Sequence, residues 1–141
     1  MLPRRLWRRD EAEPASKRTG RTGESLAEEF LVRRKGFRIL VRNWRAGKDE
    51  IDIVGRDGEV FVFVEVKTRS KAGLVPGYFA AVGKKKKEAL RRAIKSYLRR
   101  ISARPLSFRF DVVEVTLHAP EKERILHYEN IPLFPKNFRV R

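Results

Sequence analysis

Acidic and basic side chains of the kind that run metal-dependent chemistry crowd into a short stretch at the centre of this chain. Glu50, Asp52, Glu65 and Lys67 lie on two strand-like runs, Glu50 to Arg56 and Glu59 to Arg69, joined by Asp57-Gly58, a pair suited to a type I′ hairpin turn. With those two as loop residues, Arg56 faces Glu59, Val54 faces Phe61, Asp52 faces Phe63 and Glu50 faces Glu65. Alternation then puts Glu50, Asp52, Glu65 and Lys67 on one sheet face, with Asp52 the diagonal neighbour of Glu65. The other face carries Val60, Val62, Val64 and Val66 of the second strand with Ile51 and Ile53 of the first, and reads as core. Phe61 and Phe63 make the charged face apolar at its near end, where carboxylates are costly unless compensated. A divalent cation resolves that cost, because Mg²⁺ favours one or two carboxylates plus waters and phosphate oxygens. Asp52 and Glu65 are the expected ligands of Mg²⁺ or Mn²⁺, and Glu50 is an accessory carboxylate. Lys67 can orient or deprotonate an attacking water, or stabilise transition-state charge. The plain alternative is an ordinary Glu65–Lys67 ion pair near a strand end.

The elements that must position these groups flank the hairpin. Residues 1–20 mix Arg, Glu, Pro, Ser and Lys without periodicity and read as a basic flexible tail. A helix follows, capped by Thr22, with Leu26, Ala27, Phe30 and Leu31 as its apolar stripe and Gly36 as its stop. Glu24 falls on the border of that stripe, beside Ala27 and Leu31, where a carboxylate can lean over the sheet towards a metal. The helix dipole favours the same position equally well. Phe37 to Val41 suggests a first strand, and residues 70–80, SKAGLVPGYFA, a loop. Leu90, Ala93, Ile94, Tyr97, Leu98 and Ile101 recur at helical spacing over 82–101. Phe108 to Leu117 reads as another strand, Arg124 to Tyr128 as a short last one, and 131–141 as an irregular tail. The expectation is one α/β domain over residues 21–130, a mixed sheet flanked by helices.

Charge narrows the partner. Among 141 residues, 34 Lys and Arg against 18 Asp and Glu leave a net charge of +16. Self-repulsion of that size points to a polyanion, with nucleic acid first and an anionic membrane surface second. The 82–101 helix concentrates the excess: Lys84, Lys85, Lys86, Lys87, Arg91, Arg92 and Lys95 form a basic outer face suited to phosphate contact, followed by Arg99 and Arg100. Trp7 and Trp44 can stack on bases but, as single aromatics, read more readily as packing or tail residues. The absence of cysteine excludes disulfides, thiolate zinc sites and cysteine nucleophiles. His118 and His127 are too few for a histidine metal site and read as strand or surface residues. The N-terminus lacks the apolar core of a secretory signal, and the apolar runs are far too short for a membrane span, so a cytoplasmic protein with no membrane partner is expected.

Asp52 followed across a hairpin turn by Glu65-Val66-Lys67 resembles the active-site motif of the PD-(D/E)XK superfamily. GRTGESLAEEFL (20–31), EIDIVGRDG (50–58) and VFVEVKTRS (62–70) together resemble the YraN-like family of bacterial proteins, considered similar in fold to archaeal Holliday junction resolvases. The resemblance spans about residues 20–130, and three motifs in order are far more specific than any one. It implies a restriction-endonuclease-like fold, a helix glutamate at Glu24, a metal-ligating aspartate at Asp52, a second ligand at Glu65 and the catalytic lysine at Lys67. Resolvase-like relatives act as dimers, so the resemblance extends to a homodimer. Asp49 departs from the family, which tends to have glycine there, and adds a negative charge beside the site. The expected function is metal-dependent hydrolysis of phosphodiester bonds in DNA, in branched or repair intermediates. The alternative is a non-catalytic nucleic-acid-binding protein on a nuclease-like scaffold.

Overall fold

The structure, a computed structural model, describes residues 15–69, 83–101, 107–117, 124–136 and 138, with side chains from residue 21 onward. The first fourteen residues, the 70–80 loop, Trp7 and His118 lie outside the described residues. The element order is α1 (Ala15–Arg33), β1 (Arg38–Ala46), β2 (Asp49–Asp57), β3 (Val60–Arg69), α2 (Lys84–Arg100), β4 (Ser107–Thr116) and β5 (Arg124–Tyr128). The five strands form one mixed sheet in sequence order, β3 and β4 running parallel and every other pair antiparallel. A parallel neighbour needs a long crossover, and the segment containing α2 supplies it.

Two hairpins make the first half of the sheet, each turning on a glycine. Gly47 has φ +59° and Gly58 φ +60°. Asp57 pairs with Val60, so the loop residues are Gly58 and Glu59, one residue later than Asp57-Gly58. Only the first central residue has positive φ, the type II′ pattern, because glycine is needed there and not at the second position. The expected register is thereby corrected by two: Val54 faces Phe63 and Ile53 faces Val64. A two-residue slip preserves the side-chain faces, whereas a one-residue slip would have exchanged them. β1 also runs on to Ala46, past Val41, because Gly47-Lys48 closes a second two-residue turn.

Each face of the sheet packs against one helix. On the α2 face, Phe63, Val54 and Val112 meet Leu90, Ala93, Ile94, Tyr97 and Leu98. On the α1 face, Ile53, Val62, Val64, Val113 and Val115 meet Ala27, Leu31 and Phe37. Ile51 and Ile53 were expected on one face, yet Ile51 belongs to the α2 cluster and Ile53 to the α1 cluster. Their partners on β1 divide likewise: Arg42 reaches Glu28 of α1, and Trp44 meets Tyr97 of α2 with ring centroids 5.3 Å apart. Alternation therefore breaks between these rungs, beside Asn43, whose φ of 50° is a left-handed conformation that asparagine tolerates.

α1 begins at Ala15, directly after Pro14, so Thr22 lies inside the helix and is not its cap, and the expected tail is helical over 15–20. Proline favours a helix start just beyond it, and Ala15 to Arg18 do not oppose one. Gly23, Ala27 and Leu31 line the inner face at four-residue spacing. A Cβ at Gly23 would lie 1.7 Å from Thr68 Oγ1 and 2.7 Å from Thr68 Cβ. Helix propensity alone says Gly23→Ala stabilises by about 1 kcal/mol. The stiff β-branched Thr68 cannot rotate clear, so overpacking wins and the substitution costs about 1–3 kcal/mol. Urea unfolding checks this: Gly23→Ala should be less stable, with partial recovery in Gly23→Ala/Thr68→Gly. A Gly23→Ala protein as stable as the parent contradicts the close approach.

The C-terminal half holds a buried polar cluster. Asp111 is fully buried; its carboxylate accepts from Arg109 Nε at 3.0 Å and the Asn130 backbone N–H at 2.9 Å, and lies 2.8 Å from His127 Nε2. Burial opposes ionisation, but the His127 and Arg109 hydrogen bonds outweigh it and hold Asp111 below the usual aspartate range. His127 is thus a strand residue in an internal network. Residues 131–136 have no regular structure, yet they close the core: Leu133 is buried and Phe134 packs on Phe108 and Phe138.

Candidate active site

The site forms where β2 and β3 part. Their pairing stops at Ile53–Val64, and one step further Asp52 turns its carboxylate into the gap, Oδ2 accepting the Val66 N–H at 2.7 Å. A side chain thus takes a donor that a continuing ladder would have used. Glu65, 7% exposed, follows Phe63 on the α2 face, and its carboxyl group hydrogen-bonds that of Asp52. Burial, then the negative charge of Asp52, push Glu65 up to about 7. Asp52 is raised too, chiefly by burial, although the Val66 N–H opposes the shift. Two buried carboxyls this close share a proton more easily than they carry two charges.

Two more acids converge from either side. With its amide nitrogen donating, Asn43 reaches Glu50 Oε1 at 3.1 Å and Glu24 Oε2 at 3.2 Å. Glu24 is raised above the usual glutamate range by burial, then by Asp52 and Glu50. α1, brought close to β3 by Gly23, therefore delivers Glu24 to the acidic site. Glu50 also meets Arg45 at 3.5 Å. Electrostatic and hydrogen-bond contacts link the four acids, but among the described residues no group of three or more His, Cys, Asp or Glu is placed to hold a metal ion. Asp52 and Glu65 fit a cation of the Mg²⁺ type, which takes one or two carboxylates and completes its shell with water and phosphate.

The basic residues divide into two groups. Lys67 is half-buried two residues beyond Glu65, in register with Glu114 of β4. Lys86, in the first turn of α2, places Nζ 3.2 Å from Glu65 Oε1. Arg92 grips Asp49 through two 3.0 Å hydrogen bonds and holds it below the usual aspartate range, so the charge that departs from the family pattern is paired within the fold. Arg91 donates to Leu133 O at 3.0 Å, and Lys95 lies 5.4 Å over the Phe138 ring. Lys84 and Lys85 are exposed and Lys87 is partly so. Trp44 packs on Tyr97 under the Arg100 guanidinium.

Residues 23–115 match the family described as Uncharacterised protein family UPF0102. The chain belongs to the UPF0102 family. This is the YraN-like family that the three motifs resemble. A UPF0102 protein of Symbiobacterium thermophilum is 46% identical over 71% of this chain and 83% of its own length. One from Chlorobium limicola is 41% identical over 75% and 81%, and one from Geobacter sulfurreducens 42% over 79% and 85%. Among solved structures, Pyrococcus furiosus SfsA, determined in complex with Ca²⁺, aligns at 16% identity with a TM-score of 0.38, over 81% of this chain and 63% of that one.

Two features of this acidic cluster escape a reading of the sequence: the place of Asn43 between Glu24 and Glu50, and the pairing of Lys86 with Glu65. Asn43 gives no signal except as an Asn-Trp pair in a strand of basic residues. Lys86 is hidden in a run of four lysines, and only the helix phase relative to β3 selects it.

The pH dependence follows from Glu65. Its carboxyl titrates near 4.5 in the unfolded chain and about 7 in the fold. The folded protein then holds the extra proton between those values, so the stability this group contributes is complete below the lower one and is lost as pH rises through the upper one. In EDTA, Glu65→Gln should gain stability relative to the parent between pH 5 and 8, measured by urea unfolding at each pH. Parallel pH profiles for the two proteins would contradict the shift.

Proposed function

We propose that this chain is a Mg²⁺- or Mn²⁺-dependent endonuclease that hydrolyses DNA phosphodiester bonds, with branched or repair intermediates as its substrate class. The observation that carries the reading is the buried Asp52–Glu65 carboxyl pair, backed by acid from Glu24 and Glu50, with Lys86 on Glu65 and Lys67 two residues further along β3. Its architecture, a mixed sheet with the acids on a central hairpin, agrees with a restriction-endonuclease-like scaffold. Asp52 and Glu65 would hold the cation, which supplies Lewis acidity at a phosphate oxygen and a more acidic water. Lys67 orients that water or stabilises the charge gathering on the phosphoryl oxygens. Water attacks phosphorus, its oxygen forms the new P–O bond, one bridging P–O bond breaks, and the leaving oxygen takes up a proton. Asn43 and Glu24 set the position and charge of the acidic wall.

The exposed lysines of α2 supply the phosphate grip. Cations in the first turn of a helix oppose its dipole, and α2 has no acidic residue there. Four lysines in that turn are stabilised when an anion arrives. The test is a panel of linear duplex, single-stranded, flap and four-way-junction DNA, with matching RNA, incubated with Mn²⁺, Mg²⁺ or EDTA. Metal-dependent nicking supports the proposal. Salt-sensitive binding without cleavage of any member supports the non-catalytic scaffold in its place.

A further inference from the structure

We propose that Lys86 is an exchangeable counter-ion: it holds Glu65 while no divalent cation is bound, and moves off to a substrate phosphate when one enters. This deepens the endonuclease reading and rests on it. Lys86 Nζ lies 3.2 Å from Glu65 Oε1, and its charge also acts on Asp52 and Asp49. It therefore stands within the field of the two carboxylates expected to hold the cation. A divalent ion bound there would meet the ammonium at close range, where like charges repel. The two cannot share Glu65.

Lys86 is built to leave. Its side chain is 44% exposed, against 9% for that of Glu65, so the lysine end of the pair reaches water while the acid end stays fixed in the sheet. The ammonium sits on a flexible four-carbon stem with no planar fork to lock it. Its place in the first turn of α2 already opposes the helix dipole, so the helix contributes nothing to keep the charge on Glu65. Lys84, Lys85 and Lys87 share that turn, which gives a released Lys86 a phosphate-facing neighbourhood. Arg92 behaves differently: it holds Asp49 through two parallel hydrogen bonds, a planar fork that a lysine lacks.

Calorimetric titration of Mn²⁺ into the full chain, without nucleic acid, tests the exchange. Lys86→Met should bind Mn²⁺ about tenfold more tightly than the parent, the scale expected for one cation removed from beside the ion. Arg99→Met removes the same charge at the far end of α2 and should leave Mn²⁺ affinity near that of the parent. In thermal unfolding, Lys86→Met should melt lower in EDTA yet gain more from Mn²⁺ than the parent does. A purely structural Lys86 lowers the melting temperature and leaves the Mn²⁺ increment unchanged. With a non-hydrolysable phosphorothioate duplex, the variant should lose affinity in Mn²⁺ but not in EDTA, and equal loss under both conditions overturns the exchange. Asp52→Asn separates the two failures. If Mn²⁺ binding depends on Asp52 but Lys86→Met binds it no more tightly, the exchange alone falls. If the parent shows no Asp52-dependent Mn²⁺ binding, the endonuclease reading falls with it.

Discussion

Asp52→Asn, Glu65→Gln and Lys67→Ala should each cut metal-dependent cleavage by at least about a hundredfold, the lower end of what one positioned acid–base group contributes. The first two should also shrink the rise in melting temperature that Mn²⁺ gives the parent, because a ligand that binds only the folded state stabilises it by mass action. Lys67→Ala should leave that rise almost intact, since it removes no carboxylate. In EDTA, Glu65→Gln should be at least as stable as the parent at pH 8, because a buried acid beside Asp52 is costly when ionised. An ordinary ion pair forecasts the reverse: neutralising Glu65 destabilises, and Mn²⁺ changes nothing. Calorimetry on the parent and Glu65→Gln, with and without Mn²⁺, decides between them before any substrate is known. No metal-dependent shift in the parent would sink the active-site proposal.

The second large effect concerns nucleic-acid affinity. Reversing Lys84, Lys85 and Lys87 to Glu should weaken duplex binding by about an order of magnitude or more. It should also lower the slope of log K against log salt by about 2.7, at roughly 0.9 for each phosphate no longer neutralised. The weakening should be similar for all sequences, since lysines that meet phosphate position a duplex without reading it. Lys86 is omitted because Glu65 holds it. Reversing Arg91, Arg92 and Lys95 should act first on stability, because these side chains engage Leu133 O, Asp49 and the Phe138 ring. Anisotropy across a salt series, paired with urea unfolding, separates the two sets. An unchanged salt slope in the Lys84/Lys85/Lys87 variant would falsify the proposed phosphate-binding surface.

Local pattern carried much of this molecule. Helix α2 announced itself through periodicity and strands β2 to β4 through alternation and turn residues, and the two-residue error in register left the faces of Phe63, Glu65 and Val64 intact. What escaped depends on tertiary geometry. The separation of Ile51 from Ile53 comes from a break in alternation beside Asn43, and no period-two pattern encodes it. Lys86 differs from its neighbours only by helix phase against β3, and the Arg92–Asp49 pair joins residues 43 positions apart. The closing of the core by Leu133 and Phe134 comes from a segment with no regular structure to announce it.

The topology also divides the site in time. Asp52 and Glu65 sit on a local hairpin, whereas the parallel pairing that follows joins Val60 to Ser107 across the whole crossover. Pairings of long sequence separation form late, after loop closure has been met. On the proposed reading, the carboxylates come from that hairpin and the phosphate-facing lysines from the crossover, so the site is complete only once the parallel pair has closed.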